Sequence, residues 1–107
     1  MSAKPRETER DFQRAVIELA RLLKWRVAHF RQARTAKGWR TPVEADGAGF
    51  PDLVLLRRER QVVAELKADR GVIRPEQREW IEAFKAAGVE AHVWRPENWS
   101  EVESCLR

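Results

Sequence analysis

The chain has 107 residues, 43% of them hydrophobic and 36% charged, with 21 lysines and arginines against 17 acidic residues for a formal net charge of +4. That composition suits one buried core under a charge-dense surface, excludes a disordered chain, and leaves too little length for a second core of similar size. No apolar run is long enough to span a bilayer, no signal-peptide pattern opens the sequence, and the lone Cys105 allows neither an internal disulfide nor a zinc site built on cysteines. A reducing, cytoplasmic setting is therefore expected, and a pI near 9.8 admits an anionic partner without requiring one.

From Thr8 to Lys24 the apolar residues Phe12, Ala15, Val16, Leu19, Ala20 and Leu23 recur at three- and four-residue steps, the period of a helix with one buried face. Thr8 can cap it, and Glu9 falls in its first turn, where a carboxylate suits the helix dipole. Trp25 to Phe30 alternate as a strand does, Trp25, Val27 and His29 against Arg26, Ala28 and Phe30. Arg31 to Gly49 shows no periodicity, carries Arg31, Arg34, Lys37 and Arg40, and reads as a long basic loop of the kind that is usually functional.

Two short apolar runs follow, Asp52 to Leu56 and Gln61 to Leu66, joined through the charged stretch Arg57 to Arg60; together they predict a hairpin. Pro75 presets the first turn of a helix reaching about Ala87, with Trp80, Ile81 and Phe84 on its inner face and Gly88 at its C-terminal end. Ala91, Val93 and Trp94 offer one more strand, and Pro96 to Leu106 a short terminal helix. There is no internal repeat. The expected order is α-β-β-β-α-β-α in one domain, with a core from about 8 to 95, a basic loop at 31–49 and a C-terminal helix at 96–107.

The hairpin decides where chemistry can occur. Antiparallel pairing brings the start of one strand beside the end of the next, so Asp52 approaches Glu65, and the two-residue period of a strand puts Lys67 on the face of Glu65. Two carboxylates meeting at one end of a sheet repel each other unless a cation lies between them or a proton is shared. Oxygen donors with open positions suit Mg²⁺, and a lysine beside such an ion can hold a phosphate oxygen or assist an attacking water, so phosphodiester hydrolysis is the matching reaction class. Each residue also has a plainer reading: Asp52 as a turn residue after proline, Glu65 and Lys67 as a solvated edge pair, Glu9 and Gln77 as first-turn surface groups. The apolar run Val62, Val63, Ala64 and Leu66 around Glu65 speaks for a central strand instead, where unpartnered charge is costly. His29 and His92 read as structural or surface groups. Trp25, Trp80 and Trp94 read as core, and Trp99 with Leu106 as an exposed apolar patch able to serve as a dimer surface.

The segment Gly49-Phe50-Pro51-Asp52-Leu53, followed after Asp52 by twelve residues and then Glu65-Leu66-Lys67, resembles the PD-(D/E)XK nuclease superfamily, and within it the virus-type replication-repair nuclease (VRR-NUC) domain. Glu9 on the first helix, Gln77 in Pro75-Glu76-Gln77 and the stretch Gly88 to Trp94 extend the resemblance from about Thr8 to Trp94. It implies a restriction-endonuclease-like αβββαβ core: a four-stranded mixed sheet flanked by helices, here with an extra C-terminal helix. It implies that Asp52, Glu65 and the backbone carbonyl of Leu66 bind Mg²⁺, with Mn²⁺ able to substitute. Glu9 would bind through water or serve a second metal, Lys67 would stand near the attacking water, and Gln77 would orient Lys67 or the scissile phosphate. The implied activity is a homodimeric endonuclease on branched DNA such as four-way junctions. Arg31, Arg34, Lys37 and Arg40 would contact DNA, and Trp39 would stack on an unpaired base. The alternatives are a flap, single-strand or RNA nuclease of the same superfamily, and a catalytically silent nucleic-acid-binding module.

Overall fold

Thr8 opens the first helix, its Oγ1 accepting from the Asp11 backbone N–H at 3.0 Å, a cap worth about 1 kcal/mol. The computed structural model describes residues 8–31, 33–36, 38–40 and 43–107. Helix α1 runs Glu9–Leu22 and buries Phe12, Val16 and Ala20, the stripe its sequence period marks out. It stops at a double turn: Lys24, at φ +72°, donates to the Arg21 carbonyl, and Trp25 donates to the Ala20 carbonyl. Helix ends of this form favour glycine at the left-handed position, because a Cβ is strained there. Here a lysine occupies it.

Strand β1 (Arg26–His29) follows, then two three-residue strands, β2 (Ala33–Thr35) and β3 (Gly38–Arg40), then β4 (Leu53–Arg57) and β5 (Arg60–Leu66). Helix α2 (Pro75–Ala86) leads into β6 (Glu90–Trp94), and a 3₁₀ turn at Pro96–Asn98 leads into α3 (Trp99–Leu106). Strands β1, β4, β5 and β6 lie side by side in that order, antiparallel except for the parallel β5–β6 pair that α2 connects. The four-stranded mixed sheet with flanking helices and a terminal helix is the architecture the sequence predicts.

Two expectations are corrected. The stretch 31–49 is not loop throughout, since β2 and β3 pair as a separate antiparallel hairpin with Arg34 opposite Trp39 and Arg40 opposite Ala33. Strands of three residues are shorter than the window in which alternation can be read. The turn between β4 and β5 is also tighter than the charged stretch suggests: Arg57 pairs with Arg60, leaving Arg58 and Glu59 to turn, with Arg58 at φ +55°.

Alternation sorts the core onto both faces of the sheet. Leu53 and Leu55 of β4 and Val62, Ala64 and Leu66 of β5 pack with Phe12, Val16 and Ala20 of α1 and Val102 and Leu106 of α3. Val63 of β5 and Ala91 of β6 pack with Ile81 of α2 on the other side. Every residue from Val62 to Leu66 is buried, so β5 is the central strand its composition implies. Leu106 is fully buried and Trp99 packs edge-on to Phe12 at 6.4 Å, so these two belong to the core and form no exposed apolar patch. The Arg57 guanidinium ties this end of the molecule together: it donates to the Leu23 carbonyl at 3.0 Å and the Leu106 carbonyl at 2.9 Å, and its charge lies 4.5 Å from the Trp25 ring.

Candidate active site

At the opposite end of the hairpin, the β4–β5 register pairs Leu53 with Ala64, which sets Asp52 across from Glu65 at the rim of the sheet. Both lie on the α2 face, in phase with Val54 and Val63. Asp52 is 8% exposed and Glu65 2%, so both carboxyl groups are almost wholly withdrawn from solvent. The backbone N–H of Leu66 donates to Asp52 Oδ2 at 2.8 Å, and the Asp52 carbonyl accepts from the Phe30 N–H at 2.8 Å, which fixes the aspartate at the seam of β1, β4 and β5.

The approach to this rim is shaped by Gly49-Phe50-Pro51. Gly49 has φ +81°, and a Cβ on it would lie 2.6 Å from the Glu76 carbonyl carbon and 2.7 Å from the Gln77 nitrogen. Only glycine therefore lets this loop reach the first turn of α2. Phe50 packs edge-on to Phe30 at 5.1 Å and Trp80 at 5.0 Å, and the Trp80 Nε1–H lies 3.1 Å from the carbonyls of both Asp46 and Ala48. The loop is thus clamped between β1 and α2, and Pro51 hands the chain, buried, to Asp52.

Gln77, buried in the first turn of α2, accepts from the Arg74 N–H at 2.9 Å and donates through Nε2 to Glu65 Oε1 at 3.2 Å. Its partner in the structure is thus the Glu65 carboxyl, beside the Lys67 or scissile phosphate that the resemblance has it orient. Glu65 Oε2 is buried and has no hydrogen-bond partner among the described residues. Burial, and next the Asp52 carboxylate beside it, push the Glu65 carboxyl up to about 9. Burial also raises Asp52, against the opposing pull of the hydrogen bonds to Glu65 and Leu66. Near neutral pH the pair therefore resists carrying two negative charges unless a cation lies beside it. A buried carboxylate oxygen left open beside a second carboxylate fits a hard dication accepting oxygen donors. Asp52 and Glu65 would supply those oxygens.

Glu9 reaches the same rim from α1. Burial followed by the Asp52 charge raises its pKa, against the opposing pull of Lys67 and the Ala68 backbone N–H. Lys67 is near enough to lower the pKa of Glu9, Asp52 and Glu65 alike. The turn after it is braced by Arg95, whose Nη1 donates to the Ala68 carbonyl at 2.9 Å and the Gly71 carbonyl at 2.6 Å. His29, which burial holds below its ordinary pKa, also faces Asp52. Asp52, Glu65, Lys67, Glu9 and Gln77 are thus brought together as the sequence leads one to expect, and the Leu66 backbone is part of the same rim. The proposed DNA contacts are placed unevenly. Arg31 is exposed beside the site, Arg34, Trp39 and Arg40 lie on the β2–β3 hairpin, and Lys37 lies outside the described residues. Sequence alone does not mark Gly49 and Arg95 as positioning groups, since neither role can be read without knowing which carbonyls and helix turns lie nearby.

A family model for the VRR-NUC domain matches residues 6–97, more than four-fifths of the chain. The chain belongs to the VRR-NUC domain family. It is accordingly a nuclease domain of the PD-(D/E)XK type, a hydrolase with DNA as its substrate class. No curated protein and no solved structure matches the chain. Away from the rim, ligand atoms of Glu90, His92 and Cys105 lie within 4.8 Å of one another, a group able to hold a metal that the cysteine count alone does not suggest. Both Glu90 oxygens already bind Arg60, at 2.9 and 2.7 Å, so an ion pair accounts for this VRR-NUC carboxylate.

Proposed function

We propose that this VRR-NUC domain is a divalent-metal-dependent endodeoxyribonuclease, with Mg²⁺ as its ion and Mn²⁺ as a substitute, acting on branched DNA such as four-way junctions. The observation that carries the reading is the buried Glu65 Oε2, without a hydrogen-bond partner among the described residues, against the Asp52 carboxylate. Asp52, Glu65 and the Leu66 carbonyl would hold the ion, with Glu9 acting through water or on a second ion. When bound, the ion supplies electrostatic stabilisation of charge developing on the phosphate oxygens.

The remaining work belongs to the chain. Gln77 keeps Glu65 pointed at the rim through its 3.2 Å bond, and Leu66 N–H does the same for Asp52. Lys67 holds a non-bridging phosphate oxygen and orients the attacking water, whose oxygen bonds to phosphorus as the bond to the 3′ oxygen breaks. The water proton leaves to solvent or to a neighbouring base, the 3′ oxygen takes up a proton, and the product carries a 5′ phosphate. A domain of this size has little surface with which to read a long sequence, which favours recognition of DNA shape. A homodimer would place two such sites about a dyad and cut two strands symmetrically.

Labelled linear duplex, flap and four-way-junction DNA incubated with Mg²⁺ and then with EDTA test the proposal. The expected result is cleavage of the junction in Mg²⁺ that EDTA and Lys67→Ala both abolish. Cleavage indifferent to either change refutes the mechanism, binding without cleavage in any metal favours a silent binding module, and preference for flap, single-stranded DNA or RNA reassigns the substrate. Elution as a monomer at high concentration refutes the dimer.

A further inference from the structure

The cleft beside Asp52 continues beyond the carboxylates. One lobe, about 290 Å³, runs from Glu9 and Asp52 past Arg10, Gln13, His29 and Arg31. A second lobe of about 230 Å³ shares those last four residues and extends along α1 to Arg14, Ile17 and Glu18, the one acidic group in this lobe. Arg10, Gln13 and Arg14 are spaced by three and four residues on the helix, so they share one wall of the groove.

Three other arginines of the fold are occupied: Arg57 and Arg95 by backbone carbonyls, Arg60 by Glu90. Among the described residues, Arg10, Arg14 and Arg31 make no ion pair. Three guanidinium groups outside any ion pair, against the single carboxylate of Glu18, therefore line a groove whose inner end is acidic. An anionic chain passing the three carboxylates at that end is repelled unless cations alongside offset them, and these groups stand where that offset is needed. From Glu9 to Arg14 the helix rises about 8 Å, close to two 3.4 Å steps of a nucleic-acid strand.

We propose that the groove along α1 holds the sugar–phosphate backbone on one side of the bond to be cut, Arg10, Arg14 and Arg31 contacting phosphates and Gln13 and His29 donating hydrogen bonds between them. The identity of the ligand rests on the nuclease reading above; the placement on α1 is additional to it, since the sequence points to the basic segment 31–40 and passes over the helix.

Removing one cation that neutralises a phosphate lowers the slope of log K against log salt by about 0.9 for duplex DNA. The test is fluorescence anisotropy of a labelled duplex and a labelled four-way junction across a salt series, with Ca²⁺ as the dication, on the full chain. Arg14→Ala should flatten the slope by about one and weaken binding about five- to tenfold near 0.1 M salt, alike for unrelated sequences. Arg10→Ala with Arg14→Ala should flatten it by about two. Arg58→Ala, the same loss of charge at the far turn of the hairpin, should leave the slope unchanged, and Arg14→Lys should restore most of it. Mn²⁺ affinity measured by calorimetry should be the same in all four variants, which separates a strand contact from damage to the site or the fold. Arg14→Ala indistinguishable from Arg58→Ala overturns the groove. Cleavage of the junction by the wild type in Mg²⁺, run in parallel, tells the two readings apart: a protein that cuts but ignores Arg14 loses the groove alone, and one that binds through Arg14 yet never cuts loses the nuclease reading alone.

Discussion

Replacing Glu65 by Gln should stabilise the metal-free protein while abolishing its response to metal. With the Glu65 carboxyl raised to about 9, folding at pH 7 without a cation forces it to stay protonated. Neutral pH lies about 2.5 pH units above its ordinary value of 4.5, and at about 1.4 kcal/mol per pH unit that protonation costs about 3 kcal/mol. The side chain is 2% exposed, so solvent does little to screen this cost. Because the pKa is raised on folding, the stability tied to this group is fully present below pH 4.5 and declines as pH rises toward about 9. Glutamine has nearly the same shape, keeps the acceptor that Gln77 bonds, and presents an N–H to Asp52 without the cost of taking up a proton. Thermal and urea unfolding in EDTA should therefore show Glu65→Gln ahead of wild type by about 3 kcal/mol at pH 7, on the order of 10 °C or more in a domain of this size, with the gap closing toward pH 4.5. Adding Mn²⁺ at a hundredfold excess over its dissociation constant should return about 2.7 kcal/mol to wild type and little to the variant. Equal stability of the two proteins in EDTA at pH 7, or equal stabilisation of both by Mn²⁺, would show that the Asp52–Glu65 pair is not a strained, cation-seeking contact.

Gly49→Ala should cost at least 2 kcal/mol in urea unfolding, since the new Cβ meets the α2 backbone at 2.6 Å and φ +81° is strained for alanine. It should also weaken Mn²⁺ binding by displacing Gln77 from Glu65, and wild-type binding in a destabilised variant would separate the loop from the site. Lys24→Gly should raise the melting temperature by about 4–8 °C by relieving φ +72° at the end of α1, for a gain of about 1 kcal/mol; a lower melting temperature would mean that the lysine makes up for its backbone strain elsewhere.

What the sequence disclosed and what it withheld follow the range of the forces involved. Helix α1 was legible because six apolar residues hold one period over four turns, and β5 because four apolar residues crowd around a single acid. Asp52 against Glu65 was legible because a hairpin is a short-range object whose register follows from its ends. Gly88 was legible as a helix stop, and it has φ +83° with Val89 N–H on the Phe84 carbonyl. Lys24 fills the same role at the end of α1 and gave no such sign, because a lysine there opposes the local preference and is held by what surrounds it. The C-terminal helix misled for a related reason: its apolar residues mark a sticky face but not its partner, and that partner, α1, lies more than eighty residues earlier in the chain.

The same distinction separates the ligands of the rim from the groups that aim them. Residue types name Asp52, Glu65 and Lys67, since few side chains can bind a cation or a phosphate. Gly49, Gln77 and Arg95 act through distances to particular carbonyls and to one helix turn, and many residues in many sequences could be a glycine before a proline or an arginine after a strand. Yet they explain why the pair can be buried at all. Gly49 lets the loop close against α2, which brings Gln77 over Glu65, while Arg95 holds the turn that returns Ala68 to Glu9. With one oxygen of each carboxyl satisfied, by Gln77 and by Leu66, and Glu65 Oε2 without another partner among the described residues, this buried corner is left to share a proton between its two acids or to take up a cation. A core that would be more stable with glutamine at position 65 has a demand that its own packing does not meet, and a hard dication is a partner whose chemistry would meet it.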